Sequence, residues 1–102
     1  MAQVKTDNPL DFSGGNSGGH CHSGTPPITK SSGVQINGFY VLTINNEDGY
    51  SAIGCIDPHA RLCSASLIPK MVFINGVPVF TSEDFIQCGE LGGPGLYPVF
   101  IN

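Results

Sequence analysis

Seven side chains in this sequence, three His and four Cys, are suited to hold a metal ion, and they fall in three islands. His20-Cys21-His22 places two imidazoles on one face of an extended segment, because side chains alternate there, and such a pair chelates one ion. Cys55, His59 and Cys63 follow at intervals of four, a spacing that suits a helical turn or a loop closing on a metal. Cys88-Gly89 lies farther on. A tetrahedral zinc site takes four such ligands, and joining three distant loops offsets much of their closure entropy. The intervals match no standard zinc-finger signature, so the residues alone leave the choice of four open. Each also has a plain reading: a buried cysteine is often a small hydrophobe, His22 can cap a turn, and His59 can sit on the surface.

Catalysis has less to stand on. Thiol–imidazole pairs such as Cys63 with His59, or Cys88 with His20, can be drawn as nucleophile and base. The chain has no nucleophile elbow, phosphate loop or nucleotide fingerprint, and Glu47-Asp48 and Glu83-Asp84 read as turn residues. The expectation is a protein that is not an enzyme.

The elements that must position these islands announce themselves by repetition. Val34-Gln-Ile-Asn-Gly recurs as Val72-Phe-Ile-Asn-Gly and, at the end, as Val99-Phe-Ile-Asn102. Val34 and Ile36 alternate with Gln35, and Asn37-Gly38 is the pair that a type I′ hairpin turn requires. Phe39, Val41 and Thr43 fit the returning strand. The second copy turns at Asn75-Gly76, and Pro78 in its return strand, lacking an N–H, calls for an edge or an irregularity. The third copy has only its outgoing strand. Copies start at 34, 72 and 99, spacings of 38 and 27, too unequal for a regular solenoid. Little helix is expected beyond a turn within 60–67. The connection from Asn45 to Pro69 is long for so small a domain, which suits a loop pinned by its Cys55, His59 and Cys63.

Composition agrees. Among 102 residues, 12% are charged, with 14 Gly and 8 Pro, which favours short extended pieces and tight turns over a helical bundle. Only four Lys and Arg, at net charge −4, supply no basic patch, so nucleic-acid binding is not expected. No apolar run reaches the ~20 residues that span a bilayer, and the first residues lack the apolar core of a secretion signal. The chain is therefore expected to be made in the cytoplasm, where thiolate–metal bonding takes precedence over disulfides. Residues 1–18, ending in a Gly/Ser/Asn run, form a flexible segment in this reading, with Leu10 and Phe12 as possible points of docking. Residues 19–102 form the folded domain.

The order of these motifs resembles the PAAR-repeat proteins, the tips of contractile phage tail spikes and of type VI secretion spikes. The resemblance rests on Gly19-His20 with Pro26-Pro27, Val34 to Gly38, Cys55 to His59, Val72 to Gly76, Asp84-Phe-Ile-Gln-Cys88-Gly89 and Val99 to Ile101. It implies an all-β, cone-shaped domain of short hairpins with pseudo-threefold repetition and a metal-pinned vertex. It also implies a base that caps a trimeric β-helical spike, one tip per trimer, in a virion tail baseplate or a secretion apparatus. The tip is then a monomer on its own and touches the target membrane transiently as the spike is driven through the envelope. The vertex metal in the family is one zinc ion, with iron the less favoured choice, held by three histidines and one cysteine. By position, His20, His59 and Cys88 match family ligands. The family's middle loop usually offers two histidines and this one offers only His59, so His22 is the fourth choice, with Cys63 and then Cys55 in reserve. The alternative of another class is a free-standing Cys/His metal-binding or redox module using Cys55, Cys63 and Cys88.

Overall fold

The computed structural model describes residues 2–14, 24–29, 33–45, 47–51, 63, 72–86 and 91–101. It is a small all-β protein: these residues contain eight two-residue strands and no helix. The strands are β1 (Ala2–Gln3), β2 (Pro27–Ile28), β3 (Gln35–Ile36), β4 (Phe39–Tyr40), β5 (Gly49–Tyr50), β6 (Phe73–Ile74), β7 (Val77–Pro78) and β8 (Phe100–Ile101). They pair antiparallel as β3 with β4, β6 with β7, β2 with β5 and β1 with β8. The helical turn expected within 60–67 lies outside the described residues, apart from Cys63.

Both Asn-Gly hairpins form as their sequence predicts. Asn37 and Gly38 have φ of 51° and 84°, and Asn75 and Gly76 have 52° and 80°. These are the left-handed values of a two-residue turn whose twist matches the flanking strands. Gly76→Val is therefore expected to lower stability by about 1–2 kcal/mol, since a β-branched residue resists this φ. Thermal melting checks it, and an unchanged midpoint would be inconsistent with the turn.

The third copy holds the main surprise. Its return strand comes from the beginning of the chain. Ala2 faces Ile101 and Gln3 faces Phe100, the same register as Phe39 on Ile36 and Tyr40 on Gln35. Residues 2–14, which the sequence sets apart as flexible, thus pack into the body, with Val4, Lys5, Thr6 and Asp11 buried. Leu10 and Phe12 do not anchor them; both stay exposed.

Each return strand continues into a Val-x-Thr triplet: Val4-Lys5-Thr6, Val41-Leu42-Thr43 and Val79-Phe80-Thr81. The three triplets bridge one another in turn, Val4 to Thr81, Thr6 to Val41 and Thr43 to Val79. Their central residues close a ring of backbone bonds: the Lys5 N–H donates to Phe80 O (3.2 Å), Phe80 N–H to Leu42 O (2.9 Å) and Leu42 N–H to Lys5 O (3.0 Å). Three strands closed in this way leave no free edge inside the ring.

The residue after each Thr bonds to the next hairpin: Asp7 N–H to Tyr40 O, Ile44 N–H to Pro78 O and Ser82 N–H to Gln3 O, all at 2.8 Å. In two cases the bond is returned through a side chain, from Tyr40 N–H to Asp7 Oδ1 (2.8 Å) and from Gln3 N–H to Ser82 Oγ (3.0 Å). At the third junction Ile44 offers no side-chain acceptor and Pro78 has no N–H to offer. Pro78 therefore occupies a position whose donor would have had no partner of that kind, and this accounts for a proline inside a paired strand.

Side chains sort by alternation. Val4, Val41 and Val79 meet in one cluster, flanked by Ile36, Ile74 and Ile101. Leu42 and Phe80 turn the other way, into a second cluster with Tyr50, Cys63 and Ile86.

Candidate docking face and metal loops

The third central residue of the ring is Lys5, with no exposed surface. Its Nζ lies 2.7 Å from Asp11 Oδ1 and donates to the carbonyls of Phe12 and Pro94, each at 2.8 Å. Two hydrogen bonds to carbonyls and one ion-pair contact thus surround the ammonium. Burial lowers the Lys5 pKa, and the hydrogen bond and charge of Asp11 oppose that shift.

Asp11 belongs to a set of three carboxylates doing the same work. Its Oδ2 accepts the N–H (2.9 Å) and hydroxyl (3.0 Å) of Thr6. Asp48 Oδ2 does so for Thr43 at 2.9 and 3.3 Å, and Asp84 Oδ2 for Thr81 at 2.8 and 2.8 Å. Each Asp thereby clamps the loop leaving the ring to the end of its Val-x-Thr strand. Asp48 also accepts a bond from the Thr29 hydroxyl. Asn45 Oδ1 caps the intervening turn by accepting from Glu47 N–H (2.8 Å) and Asp48 N–H (2.7 Å). Sequence reading placed Asp48 and Asp84 at turns but missed the clamps. The signal was present as Val-x-Thr followed by Asp, five residues on in two copies and three in the last.

The hairpins present an apolar concavity of about 320 Å³. It is lined by Val34, Ile36 and Val41 from the first, Val72, Ile74 and Val79 from the second, and Val99, Ile101 and Val4 from the third, with Phe73 beside them. The three equivalent valines at its edge are open to solvent to similar degrees, Val34 45%, Val72 39% and Val99 36%. Phe73 and Phe100 add further exposed aromatic surface. A continuous apolar surface of this kind, repeated on three hairpins, has the character of an interaction site.

Of the residues assigned to the metal, His20, His22, His59, Cys88 and the reserve Cys55 lie outside the described residues. Among the described residues no three His, Cys, Asp or Glu come together as a metal site. The stems of the loops bearing the ligands do come together. Gly14, before the loop of His20 and His22, donates to Leu91 O (3.0 Å), which follows the loop of Cys88. Ser13 N–H bonds Thr25 O (3.1 Å), closing the first loop, and Phe85 bridges Leu91, closing the Cys88 loop. Ser51, before the loop of Cys55 and His59, donates to Pro26 O (2.8 Å). At Gly93, with φ 78°, an added Cβ would come within 2.7 Å of the Gly14 Cα, so two glycines let these stems approach.

Cys63 has a different setting. It is fully buried among Leu42, Tyr50, Phe80 and Ile86, and its N–H donates to Asp48 O (2.7 Å). Burial pushes its thiol well above the ordinary value, the charges of Asp48 and Asp84 add to that, and Lys5 opposes it. This is the packing of a small hydrophobe rather than of a thiolate. A thiol in the unfolded chain ionises near pH ~8.5. The folded state keeps its proton beyond that point, so it binds more protons than the unfolded state, and stability falls as pH rises. Wild-type protein is thus expected to lose melting temperature more steeply than Cys63→Ala between about pH 8.5 and 10. Lys5 is present in both proteins, and the difference reads the thiol together with its charge interaction with Lys5. Parallel pH profiles would show that the thiol carries no such linkage.

No protein-family model, curated protein or solved structure matches this chain.

Proposed function

We propose that this protein is the tip of a contractile injection spike, a cone with pseudo-threefold repetition related to the PAAR-repeat proteins. The observation that carries the reading is the apolar concavity lined by the same Val-x-Ile and Val positions of three hairpins. A partner with three equivalent chains has the matching symmetry, and a single tip then meets three chains at once. The closed backbone ring behind the concavity suits a part that transmits thrust, because load on one strand passes to the other two through its bonds. In this role the tip caps a trimeric β-helical spike of a virion tail or a type VI apparatus and sharpens it for passage through an envelope.

The vertex metal belongs to the same proposal. Three imidazoles and one thiolate, from His20, His22, His59 and Cys88, are a donor set that fits zinc, and the hydrogen-bonded loop stems support their convergence. Bound zinc would supply folding energy by cross-linking the loops. Elemental analysis reads it directly: one zinc per chain is expected, with loss in Cys88→Ser, and zinc-free protein would remove the vertex from the account. The module built on Cys55, Cys63 and Cys88 draws less support, because Cys63 packs in an apolar cluster.

Docking is tested at the face itself. Ile74→Asp puts a charge among the lining side chains and is expected to weaken binding to the spike trimer at least ~100-fold, since an unpaired charge desolvated at an interface costs several kcal/mol. Leu10→Ser, at an exposed residue outside that lining, is expected to leave binding unchanged. Binding that survives Ile74→Asp in a folded protein would reject this face.

A further inference from the structure

Two sides of the three-strand ring are covalently continuous with their hairpins, whereas the third is held to its neighbours by non-covalent contacts alone. Residues 2–6 slot between the 41–43 strand, the 79–81 strand and β8. Val4 N–H donates to Val99 O at 2.9 Å, and Lys5 exchanges backbone bonds with Phe80 and Leu42. Gln3 reads the far wall with both ends of its amide: Nε2 donates to Tyr97 O (2.7 Å), and Oε1 accepts from Gly95 N–H (2.9 Å). The segment also brings its own internal fold, since the partners of Lys5 include Asp11 and Phe12, and Thr6 is clamped by Asp11. Among the described residues, the bond from Lys5 Nζ to Pro94 O ties the buried ammonium to the rest of the body.

We infer that this slot is a strand-acceptor site, and that its occupant from outside is residues 2–14 of a second copy of the chain. A slot that satisfies an extended segment through backbone bonds, an apolar valine and a buried lysine recognises any copy of that segment, whether tethered or free. The nine residues 15–23 that follow have a contour length of up to ~30 Å, so chain length permits the segment to reach a second copy. Two copies exchanging segments close on each other with two-fold symmetry and make the same contacts twice. The lysine sets the specificity. Leu42 and Phe80 hold the equivalent ring positions, but a segment with an apolar residue at position 5 would bury its own Asp11 without the counter-charge that lies 2.7 Å away.

The test uses the intact chain and a labelled synthetic peptide of residues 1–14, warmed together to the melting midpoint and cooled. A tethered segment competes at an effective concentration on the order of 1 mM, so ~1 mM peptide is expected to occupy about half of the chains. A Lys5→Ala peptide is expected to be retained at least ~10-fold less, and because the change lies in the peptide, the folding of the chain is not at issue. No retention of the wild-type peptide, or equal retention of both, overturns the acceptor site. For the second copy, isotopically heavy and light chains are refolded together at high concentration and weighed intact. A mixed dimer that free peptide dissolves is expected, and its absence overturns that occupant. Neither readout involves the spike, so the docking proposal stands or falls separately.

Discussion

Asp11→Ala is expected to be the most damaging single change to the folded state, costing about 3–5 kcal/mol. Asp11 and Lys5 are both without exposed surface and lie 2.7 Å apart, so truncation leaves a buried ammonium with no counter-charge. The same change removes the carboxylate that receives both the N–H and the hydroxyl of Thr6. Small domains hold only ~5–15 kcal/mol in total, and each kcal/mol moves the melting temperature of a chain this size by roughly 4–8 °C. A fall of roughly 12–40 °C follows. Asp11→Asn keeps an oxygen for Thr6 and isolates the charge effect. The pair Lys5→Met with Asp11→Ala is expected to recover much of the loss, because a buried ion pair is far worse broken than absent. Urea melts of the four proteins check this, and a single Asp11→Ala that melts with wild type would contradict the ion pair.

Phe80→Ala stands close behind, at about 3–5 kcal/mol. Phe80 closes the ring through its backbone, and its side chain, with no exposed surface, packs on Tyr50 at a centroid distance of 6.1 Å and an angle of 55°. The backbone at Gly92 lies directly against it: an added Cβ there would be 2.8 Å from the ring. Such a neighbour is backbone held by its own hydrogen bond to Asp84 O, so it cannot collapse into the space that Phe80 vacates. Phe73→Ala provides the contrast. Phe73 is 54% exposed beside the concavity, and its truncation is expected to change folding stability by less than ~0.5 kcal/mol while weakening docking. Equal stability losses at the two phenylalanines would mean that the core is wrongly placed.

The two Asn-Gly hairpins were legible because a positive-φ pair between alternating apolar residues has few other structures open to it. The third hairpin was not. Its two strands lie almost a whole chain apart, at Ala2–Gln3 and Phe100–Ile101, so no local turn advertises the pairing. Nor does Lys5 look like a core residue, and only the acceptors around it make its burial tolerable. The Val-x-Thr triplets are plain in the sequence once aligned, but two adjoin the Asn-Gly hairpins and the first lies near the start of the chain with no turn beside it. Pro78 shows the reverse case: the sequence calls for an edge or an irregularity there, whereas the strand pairs regularly and tolerates proline because of the Ile44 junction, visible only when strands from different hairpins are side by side. The assigned ligands His20, His22, His59 and Cys88 fall outside the described residues, and what bears on them is the convergence of their loop stems.

The measurement that bears most directly on the central claim is the native mass of the tip mixed with the trimeric spike of its own assembly. One copy of this chain on three spike chains is the complex that the proposal predicts, with no further copy bound at excess, because three hairpins of a single chain would then occupy the three-chain end. A complex of three tips on three chains, or no complex at all from folded components, would contradict it.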